Sequence, residues 1–95
     1  MPEIRFQIEW PDATQETCYS PSLVVQKYLT EGAVYALEDF LERSRTALTL
    51  ADERVLAKYG MHCTLALGQL SRIEDRVQHY RPLPDPQVRV LKFLL

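Results

Sequence analysis

Residues 10–22, Trp10-Pro11-Asp12-Ala13-Thr14-Gln15-Glu16-Thr17-Cys18-Tyr19-Ser20-Pro21-Ser22, set a strand end, a turn, a second strand and a helix start in succession. Pro11 presets φ and Asp12 can bond its own backbone, so Pro11-Asp12-Ala13-Thr14 reads as a turn. Upstream, Ile4, Phe6, Ile8 and Trp10 alternate with Arg5, Gln7 and Glu9, a period of two that puts large apolar groups on one face of a strand. Gln15 to Tyr19 has the content to return as the second arm of a hairpin. Asn or Asp followed by Gly is the more usual turn pair where this chain has Asp12-Ala13, which leaves the turn type open. A hairpin alone is marginally stable and must pack on something.

Working outward, Ser20 before Pro21 is a helix-start pair, with Ser20 as N-cap and Pro21 at the first helical position. A short helix to about Leu29 follows, although Leu23-Val24-Val25 would also suit a strand. Thr30-Glu31-Gly32 stops it, with Gly32 able to turn left-handed. At 100° per residue, Leu37, Phe40, Leu41, Ser44, Ala47, Leu48, Ala51, Val55 and Tyr59 fall on one stripe, the pattern of a long amphipathic helix ended by Gly60. A second helix is expected from about Cys63 to Tyr80, with the stripe Cys63, Ala66, Leu67, Leu70, Ile73, Val77 and Tyr80. The short link Gly60-Met61-His62 makes the two helices neighbours, and Leu48, Val55, Leu67, Leu70 and Val77 are the expected core between them. Pro82, Pro84 and Pro86 form an extended linker. Gln87 to Leu95 reads as a strand whose apolar end, Leu91, Phe93, Leu94 and Leu95, breaks the alternation. Covering both sides of such a strand asks for a second chain. The expectation is one α+β domain over residues 1–95, a small antiparallel sheet of the N-terminal hairpin plus the C-terminal strand, packed against two long helices and one short helix.

Composition narrows the function. The chain has 95 residues, a formal net charge of −2, 46% hydrophobic and 25% charged residues, the profile of a folded globular protein. Its basic residues are not clustered, so nucleic acid is not an expected partner. There is no secretory signal pattern and no apolar run approaching the ~20 residues of a membrane span. Two cysteines fit neither a disulfide scaffold nor a zinc motif, and a reducing cytoplasm is the expected setting. No cofactor or metal is expected, and no catalytic residue can be assigned.

Cys63 next to His62, with Cys18 elsewhere, could form a thiol site on paper. Adjacent residues at a helix start diverge by about 100°, so both cysteines are expected to be small buried hydrophobes. Asp39 with Arg43 and Glu42 with Arg45 have the spacing of exposed helix ion pairs. Asp52 and Glu74 sit at the edges of apolar stripes, where a carboxylate reaches solvent, pairs with an Arg or touches a ligand. Trp10, Tyr19, Tyr28, Tyr35 and Tyr59 are read as core or helix-to-sheet packing, with a groove for a ring or peptide as the other reading. Leu50 and Leu65 fall off the stripes and hint at an oligomer or partner surface.

The segments Arg5-Phe6, Trp10-Pro11-Asp12, Glu16 to Val25 and Asp39 to Leu48, extended by Glu53-Arg54-Val55 and Lys58-Tyr59-Gly60, resemble a family of small bacterial proteins named for the nitrogen starvation response. The resemblance implies a cytoplasmic product of a gene cluster that also encodes a nitrilase, a radical SAM enzyme, an acetyltransferase-like protein, a synthase-like protein and a flavin-dependent oxidoreductase, a cluster linked to nitrile or cyanide nitrogen. It brings no catalytic residues with it. The expected function is that of a non-catalytic accessory or regulatory protein, a homodimer or the partner of a protein from that cluster. Tyr19, Ser20, Ser22, Arg43, Arg45, Leu50 and Leu65 are the candidate ligand or partner contacts. The alternative is a small enzyme or carrier with a thiol-containing site near Cys18, Tyr19 and Cys63.

Overall fold

The structure, a computed structural model, describes residues 2–95. The hairpin forms as expected: β1, Ile4–Glu9, pairs antiparallel with β2, Gln15–Ser20, in the register Ile4 opposite Ser20 and Glu9 opposite Gln15. Its turn is closed by Ala13 N–H donating to the Trp10 carbonyl at 2.9 Å and Trp10 N–H donating to the Thr14 carbonyl at 2.8 Å. Asp12 Oδ1 accepts from the Thr14 backbone N–H at 3.1 Å and from its hydroxyl at 2.6 Å. Ala13 takes a φ of 68°, the left-handed residue that follows the turn in a three-residue hairpin loop. A Cβ is unfavourable there, so Ala13→Gly is expected to raise the unfolding free energy by about 0.5–1 kcal/mol, the relieved strain exceeding the entropy Gly adds to the unfolded chain. A urea titration showing a loss of stability would place the strain elsewhere.

After β2 the short helix is a 3-10 turn, Leu23–Lys27, and its N-cap is Ser22 rather than Ser20: the Ser22 hydroxyl accepts from Val24 N–H. Ser20 is buried and donates its hydroxyl to the Ser22 carbonyl at 2.7 Å, which fixes the bend at Pro21. Gly32, at φ 83°, then redirects the chain into a strand missing from the sequence expectation, β3, Val34–Ala36. The sheet therefore has four strands, in the order β2-β1-β4-β3, with β4, Gln87–Leu94, inside it. All neighbouring pairs are antiparallel.

The register between β1 and β4 shifts at Gln7 and Ile8, which oppose Lys92 and Val90, so Leu91 is an extra residue. This bulge corrects the reading of the C-terminal strand. Alternation restarts after Leu91, Phe93 lands on the same face as Val88 and Val90, and its ring lies 6.4 Å from that of Phe6. Leu91 and Phe93 are half-buried within the chain, and of the apolar end only Leu94 and Leu95 stand exposed.

Two helices cover one face. α1, Leu37–Tyr59, begins where Leu37 N–H donates to the Pro86 carbonyl at 2.9 Å and ends at Gly60, which makes the last bond, to the Leu56 carbonyl, and turns the chain out of the helix with a φ of 77°. α2, Thr64–Tyr80, runs back beside it, with Arg45 reaching Glu74 at 3.1 Å and Arg81 reaching Glu38 at 2.9 Å. The core joins Ile4, Phe6, Ile8, Trp10 and Val88 of the sheet to Phe40, Leu48, Ile73 and Val77 of the helices. The α2 stripe is rotated from the expected one: Ala66, Gln69, Ile73, Val77 and Tyr80 are buried, Leu70 is half-buried and Leu67 is exposed. On α1 the stripe fades toward the C-terminus, with Val55 half-buried and Tyr59 exposed.

The rotation of α2 serves the sheet edge. Gln69, 2% exposed, accepts the outward-facing Tyr19 N–H of β2 on its Oε1 at 3.0 Å. The outer side of β4 beyond β3 is closed likewise, by Gly32 N–H to the Val90 carbonyl, Val90 N–H to the Ala33 carbonyl, and Glu31 Oε1 accepting from Phe93 N–H at 2.9 Å. Side chains and a loop thus occupy backbone groups that would otherwise invite strand addition.

Candidate functional site

The polar groups with the densest contacts lie at the turn end of the sheet. Trp10 is fully buried, stacked on Tyr80 with ring centroids 5.4 Å apart and edge-on to Phe40 at 5.7 Å. Arg76, one turn before Tyr80, lays its guanidinium 5.4 Å from the Trp10 ring centroid and donates to Tyr80 Oη at 2.8 Å and to Thr14 Oγ1 at 3.0 Å. The Tyr80 hydroxyl donates in turn to Asp12 Oδ2 at 2.9 Å, and Trp10 Nε1–H donates to Glu16 Oε1 at 3.0 Å. Thr14's hydroxyl holds the Asp12 carboxyl below its ordinary value, burial opposes this, and Thr14 N–H, Tyr80 and Arg76 add to the lowering. These bonds run between groups of the same fold, and the network ties the hairpin turn to the end of α2.

A second polar knot lies at the α1–α2 joint. α2 has no acidic residue in its first turn and no capping side chain of its own. Asp52, on α1 and 5% exposed, supplies the cap from across the joint: Oδ1 accepts from Cys63 N–H at 2.5 Å and Oδ2 pairs with His62 Nδ1 at 2.7 Å. Burial alone would raise the Asp52 carboxyl, but the bonds from His62 and Cys63 outweigh it and hold it below its ordinary value. This is the second of the roles open to Asp52 at the sequence level, with a histidine in place of the arginine.

The candidate contacts are dispersed. Tyr19 and Cys63 do meet, lining a shallow cavity of about 230 Å³ with Glu3, Pro21, Val55 and Tyr59. Cys63 is half-buried at the N-cap of α2 rather than sealed in an apolar core, which corrects its expected burial. Burial, and Glu3 beside it, push the Tyr19 phenol up. Cys18 lies on the core face, fully buried, and burial pushes its thiol far above the ordinary range. Ser20 and Ser22 are buried in the 3-10 bend, where Arg54 also donates to Ser22 Oγ at 3.2 Å. Arg43 pairs with Asp39 at 3.0 Å, donates to the Tyr28 carbonyl at 2.9 Å and covers the Tyr35 ring. Arg45 pairs with Glu74 across the helices and not with Glu42. Leu50 is half-buried, whereas Leu65 is 62% exposed and shares the joint with Tyr59 at 61% and Met61 at 73%. Of these three exposed residues periodicity points to Leu65 alone, because Tyr59 continues the α1 stripe and reads as core.

Among the described residues no helix is long and apolar enough to cross a membrane, and no three His, Cys, Asp or Glu side chains gather as a metal set would need. One antiparallel sheet backed by one antiparallel helix pair, with charged groups engaged in joining elements, defines an α+β protein of a simple two-layer kind. The chain belongs to the family of the nitrogen starvation-induced protein NitG, whose family model matches residues 5–93. Comparisons with curated proteins and with solved structures gave no match.

Proposed function

We propose that the chain is a non-catalytic accessory protein of the nitrogen starvation response, acting in the cytoplasm by binding an enzyme encoded with it in a nitrilase-containing cluster. The observation that carries this reading is the exposure of Tyr59, Met61 and Leu65 at the α1–α2 joint, at 61%, 73% and 62%. Isolated exposed apolar groups are ordinary, but an aromatic, a methionine and a leucine within seven residues at one end of the helix pair make the composition of an interface core. Asp52 holds that joint rigid from beneath, which lowers the ordering cost of binding. Gln69 and Glu31 each occupy a backbone N–H at the open side of a strand, which favours a side-chain contact over strand addition at those points.

The rival thiol reading loses support from the same geometry. Cys18 is sealed, and His62, the nearest base in sequence to Cys63, is turned to Asp52. Met61→Asp and Leu65→Asp change exposed positions and should leave folding intact, while each lowers affinity for the partner enzyme by about tenfold or more in a titration of purified proteins. Unchanged binding, or rapid labelling of Cys63 by a mild alkylating reagent at a rate set by a low pKa, would favour the rival. A homodimer is the remaining occupant of this patch, and light scattering of the isolated chain separates it from a heteromeric contact.

A further inference from the structure

At the other end of β1 from the helix joint, the hairpin turn and the proline-rich linker enclose an open cavity of about 420 Å³. Its walls include Trp10, Val34 and Leu83, and its charged lining is Glu9, Asp85 and Arg89. Arg89 is alone among the arginines, within the described residues, in holding no carboxylate, amide, hydroxyl, carbonyl or ring of the protein. Glu9 lies directly opposite Arg89 across β1 and β4, at a spacing where opposite charges ordinarily join, yet the two form no ion pair. Asp85 stands between Pro84 and Pro86 with a φ of 48°, a left-handed conformation that Asp tolerates better than most residues. Among the described residues its carboxylate holds no other group.

We propose that this cavity binds a free basic α-amino acid. Arg89 has the planar fork that takes an α-carboxylate through two parallel bonds. Two carboxylates against one guanidinium leave the lining one negative charge in excess, which matches a ligand carrying two ammonium groups and one carboxylate. Glu9, beside Arg89, takes the α-ammonium, and Asp85, at the linker, takes the side-chain ammonium. Val34 and Leu83, both exposed, cover the methylene chain between them. The cavity exceeds the volume of such a ligand, so water shares it, and an affinity of about 1 mM or tighter is expected. This inference is independent of the partner proposed for the helix joint.

Amide shifts of the isotope-labelled protein, read on titration with L-lysine, test it. Saturable shifts are expected at Glu9, Asp85, Gln87 and Arg89. L-norleucine, which lacks the second ammonium, 1,5-diaminopentane, which lacks the carboxylate, and Nα-acetyl-L-lysine, which mimics a chain-terminal lysine, should each bind about tenfold more weakly or worse. Arg89→Gln alters an exposed, unpaired side chain, so the fold persists, and it should weaken lysine about tenfold while leaving 1,5-diaminopentane unchanged. No saturable shift up to about 10 mM lysine overturns the proposal. So does equal binding of lysine and any of the three analogues, or an Arg89→Gln variant that binds lysine as the parent does.

Discussion

Replacing Trp10 by Ala is expected to lower the unfolding free energy by about 3–5 kcal/mol, a large part of the ~5–14 kcal/mol available to a chain of this length. Trp10 is where β1, the turn and α2 meet: its ring is stacked on Tyr80, edge-on to Phe40 and covered by Arg76, and its Nε1–H holds Glu16. Truncation leaves a cavity under the sheet and strips Arg76 of a ring that screens it from water. Tyr80→Phe keeps both rings and removes only the hydroxyl linking Arg76 to Asp12, so its loss should be near 1 kcal/mol. Urea unfolding of the two variants separates ring packing from hydrogen bonding. A loss below about 1 kcal/mol for Trp10→Ala would mean that hairpin and helix pair are held together elsewhere.

The second large effect belongs to Asp52. Asp52→Ala removes the acceptor of the Cys63 N–H and the partner of His62, and should cost about 1–3 kcal/mol near neutral pH. The pH dependence follows from the depressed carboxyl. Because its folded pKa lies below the ordinary 3.8, its stabilisation is fully present above that value and fades as pH falls through the folded one. The difference between parent and variant should therefore shrink as pH falls below about 5. Asp12 and Glu38, also lowered, are common to both proteins and cancel in the difference. A gap that stayed constant, or widened, below that pH would show that the carboxylate is not what caps α2.

Local signals made much of the fold readable. Period-two apolar groups in Ile4 to Trp10 mark β1, long stripes mark α1 and α2, and Gly60 marks the end of α1 because glycine readily takes the left-handed φ that turns the chain out of the helix. What escaped is non-local. Val34–Ala36 is too short to carry a pattern and is a strand only because β4 lies beside it. The bulge at Leu91 depends on how β4 registers against β1, so the sequence alone does not show that Phe93 joins the face of Val88 and Val90. Gln69 replaced Leu67 in the buried face of α2 because a backbone N–H of β2 awaited an acceptor, a demand invisible in the helix's own sequence. Of the candidate contacts, Leu65 stood out because a leucine off the stripe has no partner within its helix, but Met61 carried no signal in a linker where any residue can be exposed. The three unpaired charges Glu9, Asp85 and Arg89 come together only through strand register and the linker's path.

Hydrogen exchange of the chain, alone and titrated to saturation with the enzyme proposed as its partner, tests the proposed role most directly. The account predicts slowed exchange across Tyr59 to Leu67, the C-terminal turn of α1 and the first turn of α2, with the open face of the sheet unchanged. Protection confined to the strands, with the helix joint exchanging as in the free chain, would contradict it.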